Sequence, residues 1–276
     1  SHLSYAISWF LSILDETITE NLPIGLFGDF YSHELTFFLI GKNDFKNIQK
    51  IFNKNNLSIK KLILKNFNEG TQLINYHKNI ETFFKIKIDE EIGQIYFFDN
   101  ASYRYSENFN FGSNIILRDI EKVCSIDHET LKNILSEGVL TKKKLNDDEI
   151  LEKSFFREDS YRKIRKKLIL DIAVARINEI VDIIFNKNIN IESFKKNKFK
   201  IYLTIKNKQI LENFKQCFKL CITNNNFELD FLNDFEIDES IFNAANLITY
   251  GWKKEAIPTI KLKRSLITRI FKSIFG

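Results

Sequence analysis

Phe83-Phe84-Lys85-Ile86-Lys87-Ile88-Asp89-Glu90-Glu91-Ile92-Gly93-Gln94-Ile95-Tyr96-Phe97-Phe98 is the stretch on which the fold turns. Two runs rich in isoleucine and aromatics, 83–88 and 94–98, flank a polar turn closed by Gly93. That pattern predicts a β-hairpin, and a third strand near 104–109 extends it to a meander. Downstream the apolar period lengthens to that of a helix. Helices are expected at 113–123, at 126–135 and over the long stretch 160–186. In the last, Ile164, Leu168, Ile172, Ala175, Ile177, Ile180, Ile183 and Ile184 supply the buried face, with Ser160 as N-cap. A strand at 200–205, a helix at 209–220, a strand at 227–231 and a helix at 240–250 complete an α/β body.

Upstream, residues 23–64 read β-β-α-β. A strand is expected at 35–40, a helix at 45–52 with apolar Phe45, Ile48, Ile51 and Phe52, and a strand at 59–64. Pro23, Gly25 and Gly28 punctuate the start of this module, and a short helix is expected at 70–76. Gly251 and Pro258 separate the body from the tail.

In the tail, Leu262, Leu266, Ile267, Ile270, Phe271, Ile274 and Phe275 recur at a spacing that gathers them into one apolar stripe on a helix. Lys263, Arg264, Arg269 and Lys272 lie off the stripe, and no acidic residue follows Glu255. A cationic amphipathic helix of this kind suits the headgroup layer of an anionic membrane. It would span roughly 22 Å, and its charges forbid a transmembrane course. The commoner fate of amphipathic helices, docking on the protein's own core, stands beside this reading.

Composition narrows the field. With 44 % hydrophobic residues and 27 Phe there is ample material for packed cores, and 28 % charge argues against wholesale disorder. The net charge of +5 is mild, and acidic residues are mixed with basic ones nearly everywhere but the tail. No phosphate-tracking stripe emerges, so nucleic acid is not an expected partner; abundant Lys, Asn, Ile and Phe read as the imprint of an AT-rich genome. No apolar run is long enough to span a membrane and no signal-peptide pattern opens the chain, which leaves a cytoplasmic location as the default. Cys124, Cys217 and Cys221 form no CxxC pair and read as buried thiols, so no metal site is expected.

His2, His33, His77 and His128 are scattered without nucleophile or carboxylate at a telling spacing, which gives a hydrolase triad no support. Asp147, Asp148, Glu149 and Glu152 follow Lys142-Lys143-Lys144 and read as a solvated loop. Arg162, Lys163, Arg165, Lys166 and Lys167 open the long expected helix against its dipole. By themselves they read as a solvated helix face.

Several segments in this order resemble FtsA, the actin-like family that tethers the bacterial division ring to the inner membrane. Pro23-Ile24-Gly25-Leu26-Phe27-Gly28 is similar to "NPiGL.G", which enters that family's inserted subdomain. Gly112-Ser113-Asn114-Ile115-Ile116-Leu117-Arg118-Asp119-Ile120 resembles "GG..iT.DI", the helix after the phosphate hairpin. Glu129-Thr130-Leu131-Lys132 matches "AE.lK", and Ala175-Arg176-Ile177-Asn178-Glu179-Ile180 matches "eAR..Ei". Asn243-Ala244-Ala245-Asn246-Leu247-Ile248-Thr249-Tyr250-Gly251 resembles "yataaGLllyG", and an amphipathic tail closes the chain.

The resemblance implies an actin-like (ribonuclease H-like) core of the FtsA variant. It places a small inserted β-β-α-β (SHS2-type) subdomain in 1–65, a remnant of the first lobe in 66–82, and a second lobe in 83–250 with a helical subdomain at roughly 116–197. A linker in 251–260 and a membrane-targeting helix in 261–276 follow. It further implies that the first part of the core, with its first phosphate loop, lies upstream of Ser1, consistent with a chain that contains no Met. Implied partners are the acidic C-terminal peptide of FtsZ at Arg162, Lys163, Arg165, Lys166 and Arg176, further copies of the chain through the inserted subdomain, and the anionic inner membrane.

The departures concern nucleotide. ATP is the implied cofactor, with Gly112, Glu129 and Lys132 as the matching positions. Yet the family's second phosphate loop, "D.GGGTTD", corresponds here to the acidic turn within Lys87–Gln94, where carboxylates occupy the place of a polyphosphate. The adenosine motif "TGG" is replaced by Thr204-Ile205-Lys206, and Glu129 with Lys132 reads most simply as a surface ion pair. These changes imply weak or lost ATP binding and no ATPase activity, hence a membrane adaptor that works by binding. Two other readings remain: an ATP-dependent actin-like polymerising enzyme, and a soluble interaction module whose tail packs on its own body.

Overall fold

A computed structural model describes residues 2–14, 17–19, 31–59, 61–77, 79–140, 146–156, 160–194, 199–223 and 227–253. The chain divides into two compact units, one formed by Ser1–Leu62 with Gly251–Gly276 and the other by Ile63–Tyr250. Pro23 to Gly28 and the tail 261–276 lie outside the described residues.

In the first unit, β1 (His2–Leu14), β2 (Thr17–Thr19) and β3 (Tyr31–Ile40) form an antiparallel sheet in the order β2-β1-β3. Helix α1 (Lys42–Asn53) follows, with Phe45 and Ile48 half-buried and Ile51 and Phe52 exposed. The strand expected at 59–64 is a correction. Among the described residues, 57–59 and 61–64 join no ladder, and the Leu64 carbonyl accepts the N–H of Asn68 at 3.0 Å. That bond is the first of helix α2 (Lys65–Tyr76), so the segment is a helix entry.

The second unit is built on β4 (Phe83–Ile88), β5 (Gly93–Asp99) and β6 (Ser102–Phe109), then α3 (Asn114–Cys124) and α4 (His128–Ser136). Helix α5 (Lys166–Val181) continues into a π-helical turn, Asp182–Asn186. Strand β7 (Lys200–Ile205), helix α6 (Lys208–Thr223), strand β8 (Glu228–Phe231) and helix α7 (Ile237–Tyr250) complete it. The sheet runs β6-β5-β4-β7-β8, antiparallel through the meander and parallel beyond it. The expected meander is therefore present. Strands alternating with helices around one mixed sheet make the fold α/β, as expected.

The two faces of this sheet differ. Phe84, Ile86, Ile95, Phe97, Ile201 and Leu203 share one face by the strand period of two, and join a single apolar core with α3, α4, α5 and α6. Fully burying such side chains is worth about 1.5–3 kcal/mol apiece. On the other face lie Phe83, Lys85, Lys87, Tyr96, Phe98, Tyr202 and Thr204, and α2 packs against it. A Cβ at Gly70 would come within 2.0 Å of the Phe98 ring, so α2 sits this close to the sheet because residue 70 is glycine.

The long helix expected over 160–186 is also corrected. Its N-cap is Arg165, and Arg165 bridges Ile150 as a short antiparallel pair. Leu151 N–H donates to the Ile164 carbonyl at 2.9 Å, and Lys166 N–H to the Glu149 carbonyl at 2.8 Å. Those bonds hold 164–166 against 149–151; Arg165, not Ser160, takes the N-cap position, and the helix begins one and a half turns later than its apolar period suggested.

Candidate functional site

Two places on the second unit carry the chemistry raised by the sequence, and the hairpin turn is the first. Asp89 N–H bonds the Ile92 carbonyl at 2.9 Å, closing the turn between β4 and β5. The N-terminus of α3 then docks onto it: Ser113 N–H donates to the Asp89 carbonyl at 2.8 Å and Asn114 N–H to the Glu90 carbonyl at 2.9 Å. Glu91 receives Asn114 Nδ2 at 2.9 Å and the Arg118 guanidinium at 2.7 Å. A Cβ on Gly112 would stand 2.4 Å from the Asp89 carbonyl oxygen and 2.5 Å from the Glu90 backbone, so glycine is what permits this contact. Gly112, a sequence-predicted site residue, thus serves hairpin–helix packing.

A helix N-terminus binds anions through amides that have no other partner. Here the first amides of α3 are spent on the hairpin's own carbonyls, and Glu90 and Glu91 are exposed. In water such carboxylates are screened, so their repulsion matters less than the missing donors. Position 205 is equally unsuited: Ile205 is buried in the core and pairs with Ile88, where the adenosine motif has glycine. The residues at these positions do not fit a nucleotide.

Glu129 and Lys132 lie on α4 with their charged groups 4.0 Å apart and both exposed. A pair in that setting contributes about 0.2–0.5 kcal/mol and reads as a surface ion pair.

The basic cluster is reduced by the structure. Lys166 is buried and paired with Glu149, while Arg176 binds Asp119 on α3 and Glu179 one turn ahead. Hydrogen bonding to Asp119 holds the Arg176 guanidinium more firmly protonated than usual. Arg162 is half-buried, whereas Lys163 and Arg165 are exposed. The backbone at 160–164 is not helical and exposed Lys167 pairs with Asp147, so the basic face expected of a helix narrows to Lys163 and Arg165. The tail residues from Leu262 to Phe275 lie outside the described residues.

The second place escaped the sequence reading. Beneath α2, Lys85 Nζ donates to Glu69 Oε2 at 2.8 Å and Tyr96 Oη to the same oxygen at 3.2 Å. Lys87 stands 3.9 Å from Glu69 Oε1 and 3.0 Å from Asp234. Burial opposes ionisation of Glu69, but Lys85, Lys87 and Lys65 bring its pKa below the ordinary value. Burial lowers Lys85 despite Glu69, and it pushes Tyr96 well up, with Glu69 adding to the effect. Lys87, Glu69 and Asp234 open on a groove of about 510 Å³ bordered by Ile237, Ile241 and Ala244 of α7. The available signal was Lys85 and Lys87 inside an otherwise apolar strand, which demands a buried acid; nothing local identifies that acid as Glu69.

Between α2 and α7 the donors are side-chain amides. Asn68 Nδ2 reaches the Ser240 carbonyl at 2.9 Å, and Asn243 Nδ2 reaches Asn68 and Thr71 at 2.9–3.0 Å. Cys124, Cys217 and Cys221 are buried free thiols, and burial pushes Cys217 up to about 11. Among the described residues no group of His, Cys, Asp and Glu could hold a metal ion, and no helix is long and apolar enough to cross a membrane.

No family model and no curated protein matches the chain. Solved structures do. The ethanolamine utilization protein EutJ from Carboxydothermus hydrogenoformans is 12 % identical with a TM-score of 0.43, covering 70 % of this chain and 57 % of its own. MreB5 of Spiroplasma citri, bound to AMPPNP, is 10 % identical with a TM-score of 0.45, covering 75 % and 65 %. Component A of (R)-2-hydroxyglutaryl-CoA dehydratase from Acidaminococcus fermentans is 11 % identical with a TM-score of 0.41, covering 75 % and 71 %. The chain thus spans little more than half the length of the EutJ structure.

Proposed function

We propose that this chain is a non-enzymatic adaptor of the FtsA kind, holding the FtsZ ring to the cytoplasmic face of the inner membrane. The observation that carries the reading is the hairpin turn closed onto α3, with the Ser113 and Asn114 amides donated to Asp89 and Glu90. A body whose phosphate donors are already engaged works by binding surfaces, and the amphipathic sequence of 261–275 supplies one of them. The first unit supplies another: Leu39, Ile51 and Phe52 are exposed at 64 %, 62 % and 43 %, which suits self-association through the inserted subdomain.

Lys163 and Arg165 are the basic pair through which the acidic FtsZ C-terminal peptide is steered and held. The test is fluorescence anisotropy of that peptide against the whole chain, with ATP turnover assayed on the same sample. Saturable peptide binding that weakens roughly tenfold in Lys163→Glu/Arg165→Glu, with turnover no higher than a buffer blank, is expected. Unchanged affinity in the double variant removes the peptide site, and turnover above the blank favours the ATP-dependent polymerising enzyme instead.

A further inference from the structure

Helix α7 is the least covered helix of its unit. Of its 14 residues only Asn243 and Leu247 are buried. On the side facing α2 it borders a groove of about 500 Å³ lined by Gln72, Tyr76, Asp238, Glu239, Phe242 and Asn246. Phe242 and Tyr76 are 69 % and 58 % exposed, so two large rings lie open at its edge.

The polar groups of this groove are unbalanced. Gln72 is only 3 % exposed; its Nε2 reaches Glu239 at 3.5 Å, while its Oε1 is buried without a partner. Leaving a buried amide oxygen without a donor is costly, so an occupant whose donor draws it into the groove gains specifically. Asp238 and Glu239 add two carboxylates in the first turn of α7. What the groove lacks is therefore a donor-bearing cation on an apolar body, since the open rings accept both aliphatic contact and a guanidinium or ammonium face.

The sequence contains such a segment. Residues 261–275 combine Lys263, Arg264, Arg269 and Lys272 with seven apolar positions and no acid. We propose that the α2–α7 groove is a docking site for residues 261–275 of a second copy of the chain. A basic side chain meets Gln72 Oε1 and the Asp238–Glu239 pair, and the apolar stripe covers Tyr76 and Phe242. With one groove and one tail per copy the contact is heterologous, so copies add head to tail or close into a ring. This deepens the adaptor reading by naming a self-association surface: the stripe that would enter the membrane is sequestered between copies in its absence.

Sedimentation velocity of the full chain in vesicle-free buffer tests it. The wild type is expected to associate with rising concentration, and salt to weaken the association. Asp238→Lys/Glu239→Lys and, separately, Arg264→Glu/Arg269→Glu should each weaken it at least roughly tenfold. Mixed in equal amounts, the two variants should re-associate into pairs, because the intact groove of one then faces the intact tail of the other. A wild type that stays monomeric, variants that associate as the wild type does, or a mixture that remains monomeric each overturns the proposal. Vesicle binding separates this from the adaptor reading, since Asp238→Lys/Glu239→Lys leaves the tail intact and should still pellet with anionic vesicles. If the wild type associates and the mixture recovers but nothing pellets, the groove stands and the membrane reading falls.

Discussion

One face of the five-stranded sheet is an apolar core under four helices, whereas the other buries Lys85 and Glu69 under α2 and leaves much of α7 open. Both faces are made by the same strands. Residues of β4 alternate between them, so each isoleucine that stabilises one side places a lysine on the other. An apolar face tolerates change in proportion to the volume lost. A face holding a buried ion pair depends on both partners being present, because a lone buried charge is far worse than none.

The sharpest way to break this contrast is Glu69→Ala. Leaving Lys85 buried without its acid is expected to cost about 3–5 kcal/mol in urea unfolding, while Glu69→Leu/Lys85→Met should recover most of that loss. On the apolar face, Ile86→Val should cost only about 0.5–1.5 kcal/mol. Equal losses for Glu69→Ala and Ile86→Val would erase the distinction between the faces.

Gly70→Ala comes next. The added methyl meets the Phe98 ring, and lifting α2 from the sheet is expected to cost about 1–3 kcal/mol by thermal unfolding.

Acid provides a third probe. The folded-state pKa of Glu69 lies below its ordinary 4.5, so its contribution is complete above that value and is lost as pH falls through the lower one. Stability measured from pH 6 down to about pH 3 should therefore drop more steeply in the wild type than in Glu69→Gln. Parallel curves would mean that Glu69 contributes nothing through its charge. The smallest effect belongs to Glu129→Ala, where an exposed pair 4.0 Å apart predicts a change of no more than about 0.5 kcal/mol.

The sequence reading reached the meander, the α/β class and the positions of β7, α6 and β8 because those elements carry their own period. It missed β1, although Leu3, Tyr5, Ile7, Trp9, Leu11 and Ile13 alternate along it. It overran the start of α5, since the apolar spacing from Ile164 says nothing of the bridge between Ile150 and Arg165. At the candidate sites the limit was pairing across the chain. That Lys166 belongs to Glu149, Arg176 to Asp119 and Lys85 to Glu69 depends on tertiary distance, which residue type alone does not reveal. Gly112 was singled out by resemblance as a nucleotide position, whereas in the fold its missing side chain admits the hairpin backbone, a contact that only the tertiary structure reveals.

The most direct test of the central claim, that this chain works by joining surfaces, is co-sedimentation with anionic vesicles of the whole chain beside a chain ending at Glu255. The account predicts that only the whole chain pellets and that raised salt releases it. Equal pelleting of both, or of neither, would contradict it and leave the tail without a membrane role.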